Sequence, residues 1–237
     1  MKTMWKVMLS VLLTMTLMVD CKKPVAPENA GENDTPTETD EFVDLGLPSG
    51  TLWATRNVGA DRPEDCGTYF AWGETAPKEL YDWKSYRHGN CIDNWFSISK
   101  YCTNSDWGLD GFVDSLTVLE PSDDAATVNW GNDWRMPTRE EWEELYQNSS
   151  YIWTTQNGVD GRLLTGPNGN SIFLPATGFR LDGELICLGL GIYWSSTLHS
   201  HFPERGWSYH FDWESSHVCG TYERSRGQCV RAVRVVR

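Results

Sequence analysis

The sequence predicts an α+β domain of short mixed strands, two main helices and long loops. Three observations carry that prediction. Short apolar or alternating runs recur after residue 42, separated by Gly, Pro and Asn clusters. Two segments alone carry helix start signals. Aromatic residues are unusually many, with 13 Trp, 9 Tyr and 8 Phe among 237 residues, which is rigid area suited to loop-rich packing and interface-like surfaces. Lys and Arg number 20 against 33 Asp and Glu, a net charge of −13, which disfavours non-specific binding to nucleic acid or anionic membrane. With 40% hydrophobic residues the chain can bury a sizeable core. It reads as neither a disordered tail, a coiled coil nor a helical membrane protein.

In chain order, Lys2 and Lys6 precede an apolar run from Val7 to Val19, the pattern of a signal peptide over residues 1–20. That run is shorter than the roughly 20 apolar residues needed to span a bilayer. Leu17-Met18-Val19-Asp20-Cys21 resembles a bacterial lipobox, which makes Cys21 the expected lipidation site; plain secretion and a retained anchor are the alternatives. Residues 21–41 read as a disordered acidic tether, whose twenty-odd residues would give an end-to-end distance of roughly 25 Å. The folded domain is expected over residues 42–237, with strands at Val43–Gly46 and Thr51–Val58 around the turn Pro48-Ser49-Gly50.

Ser122 is the expected N-cap of a short helix through Asp123-Asp124-Ala125-Ala126, stopped by Gly131. A second helix runs from Arg139 to about Gln147. Thr138 and Glu141 form a capping box, and Trp142, Leu145 and Tyr146 make one apolar stripe. Gly161–Thr165 and Ser171–Leu174 read as a hairpin, and Val230–Val236 as a closing central strand with Arg231 and Arg234 emerging at its faces. In between, Trp207, Tyr209, Phe211 and Trp213 alternate with Ser208, His210, Asp212 and Glu214, so period two places the rings on one face and the polar set on the other. Four aromatics bury a gross 15–25 kcal/mol at about 25 cal/mol/Å², an upper bound. The rings are therefore expected inward and the polar set displayed.

The stretch GNDWRMPTREEW at 131–142 resembles the W-R-[LM]-P-T-x-x-E-W signature of C-type-lectin-like domains of the formylglycine-generating-enzyme type. VDLGLPSGTLWATRNVGA at 43–60, YFAWGET at 69–75, LEPSDDAA at 119–126, GPNGNSIFLPA at 166–176, YWSS at 193–196 and GQCVRAVR at 227–234 together resemble the Fibrobacter succinogenes major paralogous domain family. The resemblance covers nearly everything from Phe42 to Arg237. It implies a C-type-lectin-like fold and an exported lipoprotein, with no established activity.

The stretch from Tyr193 to Arg234 is also similar to the variable segment of targets of diversity-generating retroelements, which keep a scaffold and randomise displayed positions at Asn codons. The displayed candidates are His199, His201, Phe202, Arg205, Ser208, His210, Asp212, Ser215, Ser216, His217, Cys219, Gly220, Tyr222, Ser225 and Arg226, all reachable from such codons. Glu204, Glu214 and Glu223 are not. Heterogeneous surface loops are the other reading.

Enzymatic activity is not expected. Cys219 and Cys229 are the one candidate pair for the thiol chemistry of the formylglycine-type enzymes, and their flanks do not match; no nucleophile elbow, P-loop or zinc-protease motif is present. Four of five His lie between His199 and His217 without metal-site spacing. Calcium is a lesser expectation, from Asn104, Asp106, Asp110 and Asp114 or from Glu120-Pro121-Ser122, though no known calcium-loop spacing fits. Export permits disulfides, and six cysteines besides Cys21 allow 15 pairings; Cys91–Cys102 is the favoured pair, and Cys219–Cys229 a further one that would close the displayed segment. Asp114-Ser115-Leu116 resembles a bacterial O-glycosylation acceptor.

The expected function is an exported, tethered binding module without cofactor, a monomer in the outer membrane or on the surface of a Gram-negative envelope. Its C-terminal face would meet an extracellular protein or glycan through His199, His201, Phe202, Arg205, Ser208, His210, Asp212, His217, Tyr222, Arg224 and Arg226, since aromatic and Arg side chains dominate hot spots. A structural subunit of a surface assembly and a calcium-dependent lectin are the alternatives.

Overall fold

The computed structural model of the chain describes residues 41–93, 95–186, 188–214 and 216–235. The leader, Cys21, the tether up to residue 40, Cys187, Ser215 and the side chains of Ser216, His217 and Cys219 lie outside the described residues. The architecture is α+β. Strands β1 (Phe42–Asp44), β2 (Thr51–Asn57), β3 (Cys91–Ile92) and β4 (Trp95–Phe96) come first, then helices α1 (Ala125–Trp130) and α2 (Arg139–Asn148). Nine strands follow: β5 (Ser150–Gln156), β6 (Val159–Thr165), β7 (Ser171–Pro175), β8 (Phe179–Leu181), β9 (Glu184–Ile186), β10 (Gly191–Leu198), β11 (Arg205–Phe211), β12 (Ser216–Glu223) and β13 (Arg231–Val235). They pair antiparallel into small sheets ordered β1-β2-β13, β5-β6-β7 and β10-β11-β12, with β3-β4 and β8-β9 as two-stranded ribbons. No described helix is long and apolar enough to cross a membrane.

Local chemistry explains both helices. Thr138 accepts from the Glu141 amide and the Glu141 carboxylate from the Thr138 amide, so the capping box forms and α2 buries Trp142 and Leu145. The cap of α1 is Asp124, not Ser122. One Asp124 oxygen takes the Ala126 and Thr127 amides at 2.9 Å and the other the Met136 amide at 2.8 Å, reach that a single hydroxyl lacks. Gly131, at φ 96°, ends α1.

The core falls into two clusters that share strands. Trp53, Tyr193, Tyr209, Phe211 and Val233 join Trp142 and Leu145 of α2 in one. Ala54, Trp194, Leu198 and Ala232 join Phe70, Trp72, Tyr101, Trp134 and Met136 in the other. Neighbouring residues on β2, β10 and β13 thus point into different clusters, as pleating requires, and both faces of these strands are covered. Trp142 stacks on Tyr209 at 4.9 Å and meets Trp53 at 4.7 Å.

Double coverage corrects several expectations. β2, not β13, is central in its sheet, and among the described residues β13 is joined on its other side by a bridge from Arg135 to Val233. Arg231 does not emerge. It is fully buried and donates to Asn57 Oδ1 and to the carbonyls of Ala54 and Phe173, and burial pulls its guanidinium down to about 10. On β11, Tyr209 and Phe211 are sunk as expected, but Trp213 is 70% exposed because the strand ends at Phe211. Ser208, expected on display, is 1% exposed. Its face is floored by small residues, Gly206 and Gly220 among them, and Trp72 from a distant loop seats there; a Cβ on Gly206 would lie 2.7 Å from the Trp72 ring. Cys102 and Cys229 are free thiols. Cys102 donates to the Asn104 carbonyl and Cys229 to that of Cys66, each at 3.1 Å, so neither expected disulfide is present.

Candidate functional site

The loop between β10 and β11 is held by aromatic stacking. His199 lies between Phe202, at 5.2 Å and 29°, and Trp207, at 4.7 Å and 30°. The Arg139 guanidinium, at the start of α2, covers Trp207 at 4.2 Å. His199 Nδ1 accepts from the amides of His201 and Phe202 at 3.2 and 3.0 Å. Burial, and then the electrostatic influence of nearby His201, Arg205 and Arg139, holds its imidazole below the ordinary histidine range.

Beside this stack a cavity of about 230 Å³ is lined by Trp107, His199, Phe202, Glu204, Arg205 and Thr221. Trp107 is carried in from a loop, packed on Phe96 at 4.8 Å. Thr221 comes from β12, where it pairs with Trp207. Glu204 is the decisive residue. It is 6% exposed, its Oε1 meets Arg205 Nε at 3.3 Å, and its Oε2 is buried with no hydrogen-bond partner. Burial pushes its carboxyl up, and Glu223 adds to that rise. A buried acceptor without a donor costs free energy.

The structure thus brings together His199, Phe202 and Arg205, with exposed His201 beside them. It separates the others. His210 lies edge-on to Tyr222 at 6.0 Å, and Arg226 covers Tyr222 and Phe179 at 5.6 and 5.4 Å. Thr221 and Tyr222 are neighbours on β12, so this second group sits across the strand from the cavity. Asp212 is half-buried past the end of β11, its carbonyl accepting from Arg162 at 2.9 Å. His217 is the register partner of His210 between β12 and β11, and its side chain lies outside the described residues.

Arg224 and Ser225 are corrections, for both are buried. Arg224 donates to the carbonyls of Tyr101 at 2.9 Å, Pro203 at 3.0 Å and Lys100 at 3.1 Å, between the rings of Trp72 and Tyr86. It holds the scaffold and offers no guanidinium to a ligand.

Asp114, placed among calcium donors by its sequence neighbourhood, instead accepts from the amides of Tyr101, Cys102 and Leu116. Among the described residues no three His, Cys, Asp or Glu side chains converge as a metal cage. A second cavity, about 130 Å³, is lined by Glu41, Arg56, Trp130 and Trp134, but Arg56 and Arg234 already face its rings.

Sequence reasoning missed Trp107 and Glu204. A lone Trp in a polar loop was the available signal for the first; Glu204 stood out only as a codon exception. Compared with protein-family models, with curated proteins and with solved structures, the chain matches none of them.

Proposed function

We propose that this protein is an exported ligand-binding module, tethered through a lipid on Cys21, with a C-type-lectin-like scaffold and its recognition site at the cavity around Glu204. The observation that supports this is a cavity of about 230 Å³ whose lining gathers Trp107, Phe202 and Arg205 beside the buried Glu204. Binding rather than turnover is proposed because His199, the one imidazole in the lining, has its Nδ1 committed to two loop amides, and the Glu204 carboxyl faces Arg205. Phe202, half-exposed at the mouth, and Arg205 supply the anchor chemistry that dominates interfaces. The reading places the module on a Gram-negative outer membrane or cell surface as a monomer, and supposes no resident cofactor.

Immobilised panels of envelope oligosaccharides and extracellular proteins, probed with the full chain, test this. The double variant Phe202→Ala/Arg205→Ala is expected to lose capture of whatever the wild type retains, with its melting temperature unchanged. Capture that survives the double variant overturns the cavity as the site. Sedimentation at micromolar concentration showing a stable oligomer would instead favour a structural subunit.

A further inference from the structure

We propose that Cys66 and Cys229 form a dithiol site that closes to a disulfide when the domain meets an external disulfide. The proposal is independent of the cavity at Glu204.

Placement selects the pair. Cys66 lies in the loop that follows β2, and Cys229 just ahead of β13, 163 residues further on. The Cys229 thiol donates to the Cys66 carbonyl at 3.1 Å, and both residues pack in the cluster around Trp53 and Tyr193. That carbonyl is fixed in turn. Asn57 on β2 donates to it at 3.0 Å, and Arg231 on β13 donates to Asn57 Oδ1 at 2.9 Å, so one chain of bonds from two strands positions the site. Gly67, next to Cys66, is at φ 69°, and a Cβ there would stand 2.5 Å from the Val58 carbonyl, so the loop is pressed against the end of β2. The thiols also share surroundings. Burial pushes the Cys229 thiol up to about 12, and Cys66 adds to that rise; burial, then Cys229 and Cys66, raise the Tyr69 hydroxyl. Each sulfur is thus within electrostatic reach of the other and of the same phenol.

Exposure sets the order of events. Cys66 is half-buried and Cys229 has no exposed surface, so an incoming disulfide reaches Cys66 first. The Cys66 thiolate attacks one sulfur of that disulfide; a mixed disulfide forms, the external S–S bond breaks and one thiol leaves. Cys229 then attacks the Cys66 sulfur, and its proton passes to the second departing thiolate. The Cys66–Cys229 bond forms as the mixed bond breaks. Two protein thiols are oxidised, and one external disulfide is reduced to two thiols that carry both protons away. Against the larger upward push of burial, the Arg231 guanidinium favours the Cys229 thiolate and so assists the second attack. The bond would join residues separated by most of the domain, where a cross-link constrains the unfolded chain most.

The reduced full chain, incubated with oxidised glutathione, alkylated with iodoacetamide and mapped by peptide mass spectrometry, tests the proposal. A peptide pair joined through Cys66 and Cys229 is expected, lighter by two hydrogens than the separate thiols. Cys229→Ser is expected to stop at the first step and keep glutathione on Cys66, an adduct that the wild type does not retain. The oxidised wild type is expected to melt roughly 5–15 °C above the reduced form, the shift for one long-loop cross-link in a domain of this size, and Cys229→Ser to show no such rise. Recovery of both Cys66 and Cys229 as alkylated thiols overturns the proposal. So does glutathione held stably on wild-type Cys66, or either cysteine joined to a different one. The wild-type map decides alone where the variant does not fold.

Discussion

Glu204 carries a cost to stability that pH should expose. Its folded pKa is raised, so the protonated form is the one the fold favours. The fold is least penalised below the ordinary glutamate range of about 4.3, and stability is lost as pH rises through the raised folded value. Glu204→Gln should therefore raise the melting temperature at pH 7 by about 2–4 °C, the shift for ~1 kcal/mol in a domain of this size, with the gain vanishing in acid. Calorimetry at two pH values checks it. His199 runs the other way. Its folded pKa is lowered, so the contribution of the neutral ring is complete above about 6.5 and lost as pH falls through the lowered value. Protonation removes the lone pair that accepts the His201 and Phe202 amides. Hydrogen exchange of those two amides should quicken in mild acid while amides of α2 hold their protection. Phe202, His199 and Arg205 were legible in the sequence as loop residues of binding-prone type. Glu204 was not, because a single glutamate between proline and arginine carries no sign of burial.

At the level of elements, the signals that proved readable were local. The capping box of α2 needs only residues 138–141, and its loss is simple to predict: Thr138→Ala should cost about 1 kcal/mol by denaturant titration. Glu141→Ala should cost more, since that carboxylate also takes Arg135 at 2.6 Å through both guanidinium nitrogens and is held below the ordinary range by it despite burial. The polar face of β11 was misread for a non-local reason. Period two separates two faces but does not say which meets water, and the cover for this one, Trp72, comes from far along the chain to donate to the Ser195 carbonyl at 2.9 Å. Gly206→Ala should then cost roughly 1–3 kcal/mol by overpacking and shift tryptophan emission as Trp72 is pushed from its seat. A glycine and serines in a strand were the available sign that another element approaches closely.

Across the whole molecule, the α+β class followed from short runs, few helix signals and abundant turns. The aromatic wealth was only half understood. Trp53, Trp72, Trp142 and Trp194 are fully buried, so most rings cement a small-stranded interior rather than furnish a surface. The two clusters share β2, β10 and β13, which binds them into one cooperative unit. Unfolding followed by far-ultraviolet circular dichroism, tryptophan fluorescence and near-ultraviolet circular dichroism should superimpose on one transition. A separate early loss of near-ultraviolet signal would show the clusters melting independently.

Arg224 addresses only main-chain oxygens, those of Lys100, Tyr101 and Pro203. Every amino acid supplies that oxygen, so this rivet is indifferent to the identity of the side chains it fastens. Exchanges of the side chains at Lys100 and Pro203 consequently leave all three acceptors in place, so this junction tolerates drift in sequence that a pairing of two side chains would not.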